Sequence, residues 1–178
     1  MELADVRRNK KRGRAIPFDR RTACLQGLWG RLSSMRRRAV VLWALRGAET
    51  SVSELEAYFP GDPRFLEALS AARAWTEGRV KMPAARRAIL AAHAAAKETS
   101  DARAAALCHA VGQACSAVHT PRHAPGLVCY RLTALLSGLP EADWERAIEG
   151  ELALFLRLAD AAEAEADMPR PWAPFLQD

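Results

Sequence analysis

Residues 83–118 read PAARRAILAAHAAAKETSDARAAALCHAVGQACSAV, a stretch in which alanine, the strongest helix former, outweighs every other residue. Pro83 has no amide to lose at the start of a helix, and Ala85, Ile89, Ala92, His93 and Ala96 then recur at helical spacing on one face. Ser100 or Asp101 can cap a second helix that turns Leu107, Val111, Ala114 and Val118 to one side. Two helices this poor in bulky side chains can approach closely. The whole chain repeats the bias: alanine supplies 37 residues, whereas the β-branched Val and Ile together supply 11. An all-α fold follows, because sheets draw on β-branched residues that this chain largely lacks.

On either side of that pair the helical period continues. Leu25, Leu28, Leu32, Met35, Ala39 and Leu42 line one side of a helix, or of two broken near Ser33 and Ser34. Ser51-Val-Ser-Glu54 reads as a capping box opening a further segment, and Asp62-Pro63 as a start that carries Phe65, Leu69, Ala72 and Trp75 inward to a stop at Gly78. Pro121 and Pro125 are expected to interrupt the helix between His119 and Gly126, with helix resuming from about Leu127 to Leu136. A last long helix runs from near Glu141 to Ala166, turning Trp144, Ile148, Leu152, Phe155 and Ala159 inward. Beyond it three prolines leave no helical room, so Trp172, Phe175 and Leu176 are expected to dock in extended form. The expected architecture is a single compact bundle of about seven helices over residues 17–178, with an extended C-terminal tail. Residues 1–16 are expected to form a flexible basic arm.

The net charge of +5 conceals an uneven distribution: residues 1–48 sum to +10, residues 49–139 to +2 and residues 140–178 to −7. The two ends either serve partners of opposite charge or neutralise each other in the fold. Four cysteines, Cys24, Cys108, Cys115 and Cys129, form no CxxC pair, and the N-terminus lacks the apolar core of a signal peptide, which points to reducing cytoplasm. The longest apolar run, Ala39 to Leu45, is seven residues, far short of the roughly 20 that span a bilayer. A membrane partner is not expected.

Chemistry can concentrate in one place, because all four histidines, His93, His109, His119 and His123, lie within 31 residues. His119 and His123 are four apart, the spacing by which one helix presents two imidazoles to a metal, and Cys115 lies four before His119. The glutamate of an HExxH motif is absent, and core histidines bonded to backbone or to each other satisfy the same pattern. Cys108 beside His109, or Cys115 near His119, could pair thiolate with imidazole, but adjacent helical residues diverge by about 100°. No Gly-rich phosphate loop and no GxSxG occurs, and no cofactor is expected. The basic residues 7–14, with Arg36 to Arg38, could contact phosphates, although no aromatic residue is interleaved to stack on bases. Nucleic acid is therefore a disfavoured partner.

Several blocks occur in a set order: Tyr58-Phe-Pro-Gly-Asp-Pro-Arg64, then Glu67 to Trp75 with Gly78, then Ala92-His-Ala-Ala-Ala-Lys97, then Ala110-Val-Gly-Gln-Ala-Cys-Ser-Ala-Val-His-Thr120 with His123-Ala124. In these the chain resembles the immunity proteins of bacterial polymorphic toxin systems, the immunity-protein-five-like group, over about residues 39–136. Trp172-Ala-Pro-Phe-Leu176 also looks like that group's ending. The resemblance implies an all-helical, non-enzymatic cytoplasmic protein that binds and silences a toxin, and it places His93, His119 and His123 together as matched positions. The basic arm lies outside it, and Pro121 and Pro125 depart from its helical pattern. A basic nuclease toxin would select the acidic residues Glu141, Glu145, Glu149, Glu163 and Glu165 as its contact face; a second copy of the chain is another candidate partner. The alternatives are a metal-binding helical protein or enzyme using His93, His119 and His123, and a nucleic-acid-binding regulator using the basic N-terminal region.

Overall fold

The computed structural model describes residues 1–177, and among them are eight α-helices and no strand. They are α1 (Ala4–Lys11), α2 (Gln26–Ser34), α3 (Arg37–Leu55), α4 (Arg64–Thr76), α5 (Met82–Ala95), α6 (Ala102–Ser116), α7 (Ala124–Ser137) and α8 (Trp144–Ala166). The alanine-rich α6 sits centrally, packed against α3, α4, α5 and α7, and buries Ala104, Ala106, Ala110, Gly112 and Ala114. Small side chains let these neighbours approach closely, so packing area replaces bulk. Against the other side of α3 lies α8, where Trp43 is wholly buried, donates its indole N–H to the Phe155 carbonyl at 2.9 Å, and tilts against the Phe155 ring at 5.3 Å.

Starts and stops mostly follow local chemistry. Asp101 caps α6 by accepting from the Ala104 amide at 2.9 Å, and Asp62 accepts the Arg64 amide at 3.0 Å at the start of α4. Between α2 and α3, Met35 and Arg36 are extended, which places the break just past Ser33 and Ser34. Two expectations fail. Ser51 to Glu54 start no helix; they form the last turns of α3, because Ala44, Ala48, Ser51 and Leu55 continue one buried face. Nor does Pro125 delay α7. It occupies the first helical turn, where no amide is needed, while Pro121 opens a 3₁₀ turn over Pro121–His123.

The largest departure is at the N-terminus. Residues 1–16 were expected to be a flexible arm, yet α1 is helical and buries Leu3 and Val6, with Asn9 donating to the Pro17 carbonyl at 2.9 Å. Two apolar side chains at i and i+3 give even a strongly basic octapeptide an inward face. Its outward charges meet the opposite end of the chain: Arg7 bonds Glu141 at 2.8 Å and the amino terminus pairs with Glu145. Further along, Arg31 reaches Asp160 and Glu163, Arg36 reaches Asp167 at 2.6 Å, and Arg46 reaches Glu165. The basic head and acidic tail neutralise one another.

One charged network is internal. Arg131, on α7 and only 8% exposed, holds Glu54 at 2.6 Å and Glu151 at 2.9 Å, and Arg103 joins through Glu54 at 2.6 Å. Burial works to raise the Glu54 pKa, but Arg131 and Arg103 outweigh it and hold the carboxylate below its ordinary range. The C-terminal tail docks as its apolar residues predict. The Ala173 amide bonds the Thr76 carbonyl at 2.7 Å, Leu176 is fully buried, and Phe175 packs on Trp75 within a single 3₁₀ turn, Pro174–Leu176.

Candidate functional site

Between α5, the end of α6 and the turn before α7 lies a cavity of about 320 Å³. His93, His119 and His123 line it, together with Trp75, Arg86 and Gln113. Each element delivers its ring for a local reason. His93 sits on the inner edge of α5, one residue past the buried Ala92. His119 follows the last turn of α6 and stacks on Trp75 with ring centres 5.6 Å apart. His123 ends the 3₁₀ turn that Pro121 opens, 6.1 Å from His119.

The hydrogen-bond partners fix the rings. His119 Nδ1 donates to the Ser116 carbonyl at 3.2 Å, and His123 Nδ1 to Gln113 Oε1 at 2.9 Å, which leaves the Nε2 atoms as the unengaged ring nitrogens. His93 Nδ1 meets His109 Nδ1 at 2.9 Å, so one ring donates and the other accepts. His109 in turn packs on Tyr130 at 5.0 Å. Two glycines make the room. A Cβ on Gly112 would lie 2.2 Å from His93 Nε2, and one on Gly126 would lie 2.6 Å from Gln113 Oε1. Helix α6 carries glycine where the imidazole of α5 lies against its backbone.

Burial, and secondarily the neighbouring imidazoles of His109 and His123, pushes the His93 pKa down to about 4, and burial also lowers His109 and His123. The sign of the pH dependence follows. As pH falls below about 6.5 the unfolded chain takes up protons that the folded chain refuses, so stability present above that value is lost on the way down to about 4. Urea midpoints are expected to fall between pH 7 and about 5, with a shallower fall in His93→Gln; equal slopes for the two proteins would contradict the burial of this ring.

The other residues singled out by sequence fall elsewhere. Cys115 is fully buried within α6 rather than on the cavity wall, and burial raises its thiol pKa to about 12, as it does for Cys108 and Cys129. Neither proposed cysteine–histidine pair therefore holds a ready thiolate. Among the described residues, no three His, Cys, Asp or Glu side chains gather so as to hold a metal ion. Of the acidic candidates, Glu141, Glu145, Glu163 and Glu165 are ion-paired with the basic head, Glu165 also with Arg170, while Glu149 is exposed on α8.

A second and larger cavity, about 600 Å³, escaped the sequence reading. It lies between α2, the start of α3 and residues 121–125, with Trp29, Leu32 and Met35 as its apolar wall and Arg20, Arg37 and Arg122 around it. Its residues come from segments scattered over a hundred positions, and no local motif joins them. Arg37 is held by the His119 and Phe175 carbonyls. Among the described residues, no Asp or Glu lines either cavity.

A family model described as "Imm-5 like putative immunity protein" matches residues 30–154, which takes in the second half of α2, all of α3 to α7 and the first half of α8. No curated protein and no solved structure matches the chain.

Proposed function

The chain belongs to the Imm-5-like immunity protein family, and from that membership we propose that it binds and silences a toxin of a bacterial polymorphic toxin system without carrying out a reaction itself. The family match across residues 30–154 carries the reading. The chemistry of the cavities agrees with it. The His93 and His109 rings bond one another, among the described residues no carboxylate lines either cavity to orient an imidazole as general base, and burial raises the pKa of the Cys108 and Cys115 thiols. What remains is a helical scaffold with shaped recesses, which suits recognition better than turnover. The place of action in this reading is the bacterial cytoplasm, and among the described residues no helix is long and apolar enough to cross a membrane.

The test is growth. Cells expressing a candidate toxin domain drawn from the gene's neighbourhood are expected to grow when this protein is co-expressed, and the two proteins to elute together on size exclusion. Killing that proceeds equally with and without the protein would overturn the proposal.

A further inference from the structure

We infer that the protein grips its partner through a surface formed by the two cavities on either side of residues 119–125, lined among the described residues by no carboxylate, and that the partner segment seated there is acidic and carries apolar anchors. The inference rests on the toxin-binding reading and specifies where and by what chemistry that binding occurs.

Four observations lead to this surface. First, the segment is a shared wall: His119 and His123 face the smaller cavity, while Pro121, Arg122, Ala124 and Pro125 face the larger. Second, the charge around both recesses has one sign. Arg20, Arg37 and Arg122 surround one, Arg86 borders the other, and among the described residues neither contains an acidic side chain. Third, α5 extends the same character outward. Between Arg79 and Lys97 the sequence holds five basic residues and no acidic one. Met82, Arg86 and Leu90, spaced by four, share a face of that helix, and Met82 and Leu90 are 44% and 48% exposed. Fourth, the alternative surface is already occupied electrostatically, since the basic head covers most carboxylates of α8.

These features fit one kind of occupant. Association between proteins is steered by opposite charge, and binding energy concentrates in a few side chains that fill pockets at the centre of the contact. The larger recess is mostly apolar in its wall, and both have volumes in the range of small-ligand clefts, so each can receive an anchor side chain from the partner. Carboxylates beside those anchors would meet the arginines. A second copy of this chain is a poorer occupant, because its acidic helix is neutralised by its own head.

The test compares three charge-reversed proteins in the co-expression assay and in binding of the purified toxin domain. Arg86 and Arg122 are exposed and, among the described residues, neither is ion-paired, so Arg86→Glu/Arg122→Glu is expected to leave the thermal midpoint unchanged. It is expected to slow association at low salt by about tenfold or more and to abolish protection, whereas Arg8→Glu/Arg157→Glu, an equal change of charge on α1 and α8, keeps both within about twofold of wild type. Leu90→Asp is expected to speed dissociation. Full protection by Arg86→Glu/Arg122→Glu would overturn the inference while leaving the toxin-binding reading in place, as would a loss of binding confined to Glu145→Lys/Glu149→Lys. A wild-type protein that fails to protect overturns the underlying reading and this surface with it.

Discussion

Replacing Arg131 by methionine is expected to destabilise the protein by about 3–5 kcal/mol, the cost of removing one partner from a buried charged network. Arg131 is the group on which Glu54 and Glu151 converge, and the side chain of Glu151 is only 11% exposed. Without the guanidinium, Glu151 must stay ionised in a poorly solvated place, take up a proton, or pull water inward, and each route raises the energy of the folded state. Glu54 suffers less, because Arg103 still reaches it at 2.6 Å. For a chain of this length the loss corresponds to a fall in Tm of roughly 6–20 °C. Arg131→Met/Glu151→Met removes both buried charges and is expected to recover most of the loss, since apolar replacements of buried ion pairs are often neutral. Urea denaturation of the two variants checks both statements, and a single-variant cost below about 1 kcal/mol would show that water already reaches Glu151.

The second large effect lies in the histidine cavity. Gly112→Ala puts a methyl group 2.2–2.4 Å from three atoms of the His93 ring, and the ring cannot simply turn aside because its Nδ1 is engaged by His109. Either α5 and α6 move apart or His93 leaves its seat. Overpacking of this kind costs about 1–3 kcal/mol. It also has a spectroscopic signature. A displaced His93 regains water, so its pKa is expected to rise from about 4 toward the ordinary value, visible in the titration of its ring protons by NMR. Gly112→Ala/His93→Ala removes the clash along with the ring, and its total cost is expected to be smaller than the sum of the two single changes. A titration in Gly112→Ala that coincides with wild type would show that the two helices gave way instead.

Much of this architecture is legible in the sequence because it is local. Pro83, Asp101 and the periodic apolar residues of α4 to α8 mark their elements by rules that operate within one or two turns. The signals that mislead are also local. Ser51 and Glu54 have the side chains of a helix start, but the buried face running through Ala48 and Leu55 overrides them. Arg7 to Arg14 look like a solvated arm until Leu3 and Val6 find the core and the acidic end of the chain supplies counter-charges more than a hundred residues away. Long-range pairing of that sort leaves no trace in a window of ten residues. The histidine cavity was half visible. The clustering of four histidines announces it, and the matched positions bring His93, His119 and His123 together, but Trp75, Arg86 and the room made by Gly112 depend on how α4, α5 and α6 pack. The arginine-rimmed recess was invisible, since Arg20, Trp29, Arg37 and Arg122 share only a place in space.

The tight nesting around α6 bears on what kinship can tell. Ala92, Ala95, Ala110, Gly112 and Ala114 belong to the blocks by which the family is recognised, and all of them are enclosed where helix backbones run close together. Arg86 precedes the first of those blocks, and Arg122 occupies a spacer between His119 and His123. A larger side chain at any of these enclosed positions would force helices apart, whereas replacing the exposed Arg86 or Arg122 disturbs no packed contact between helices.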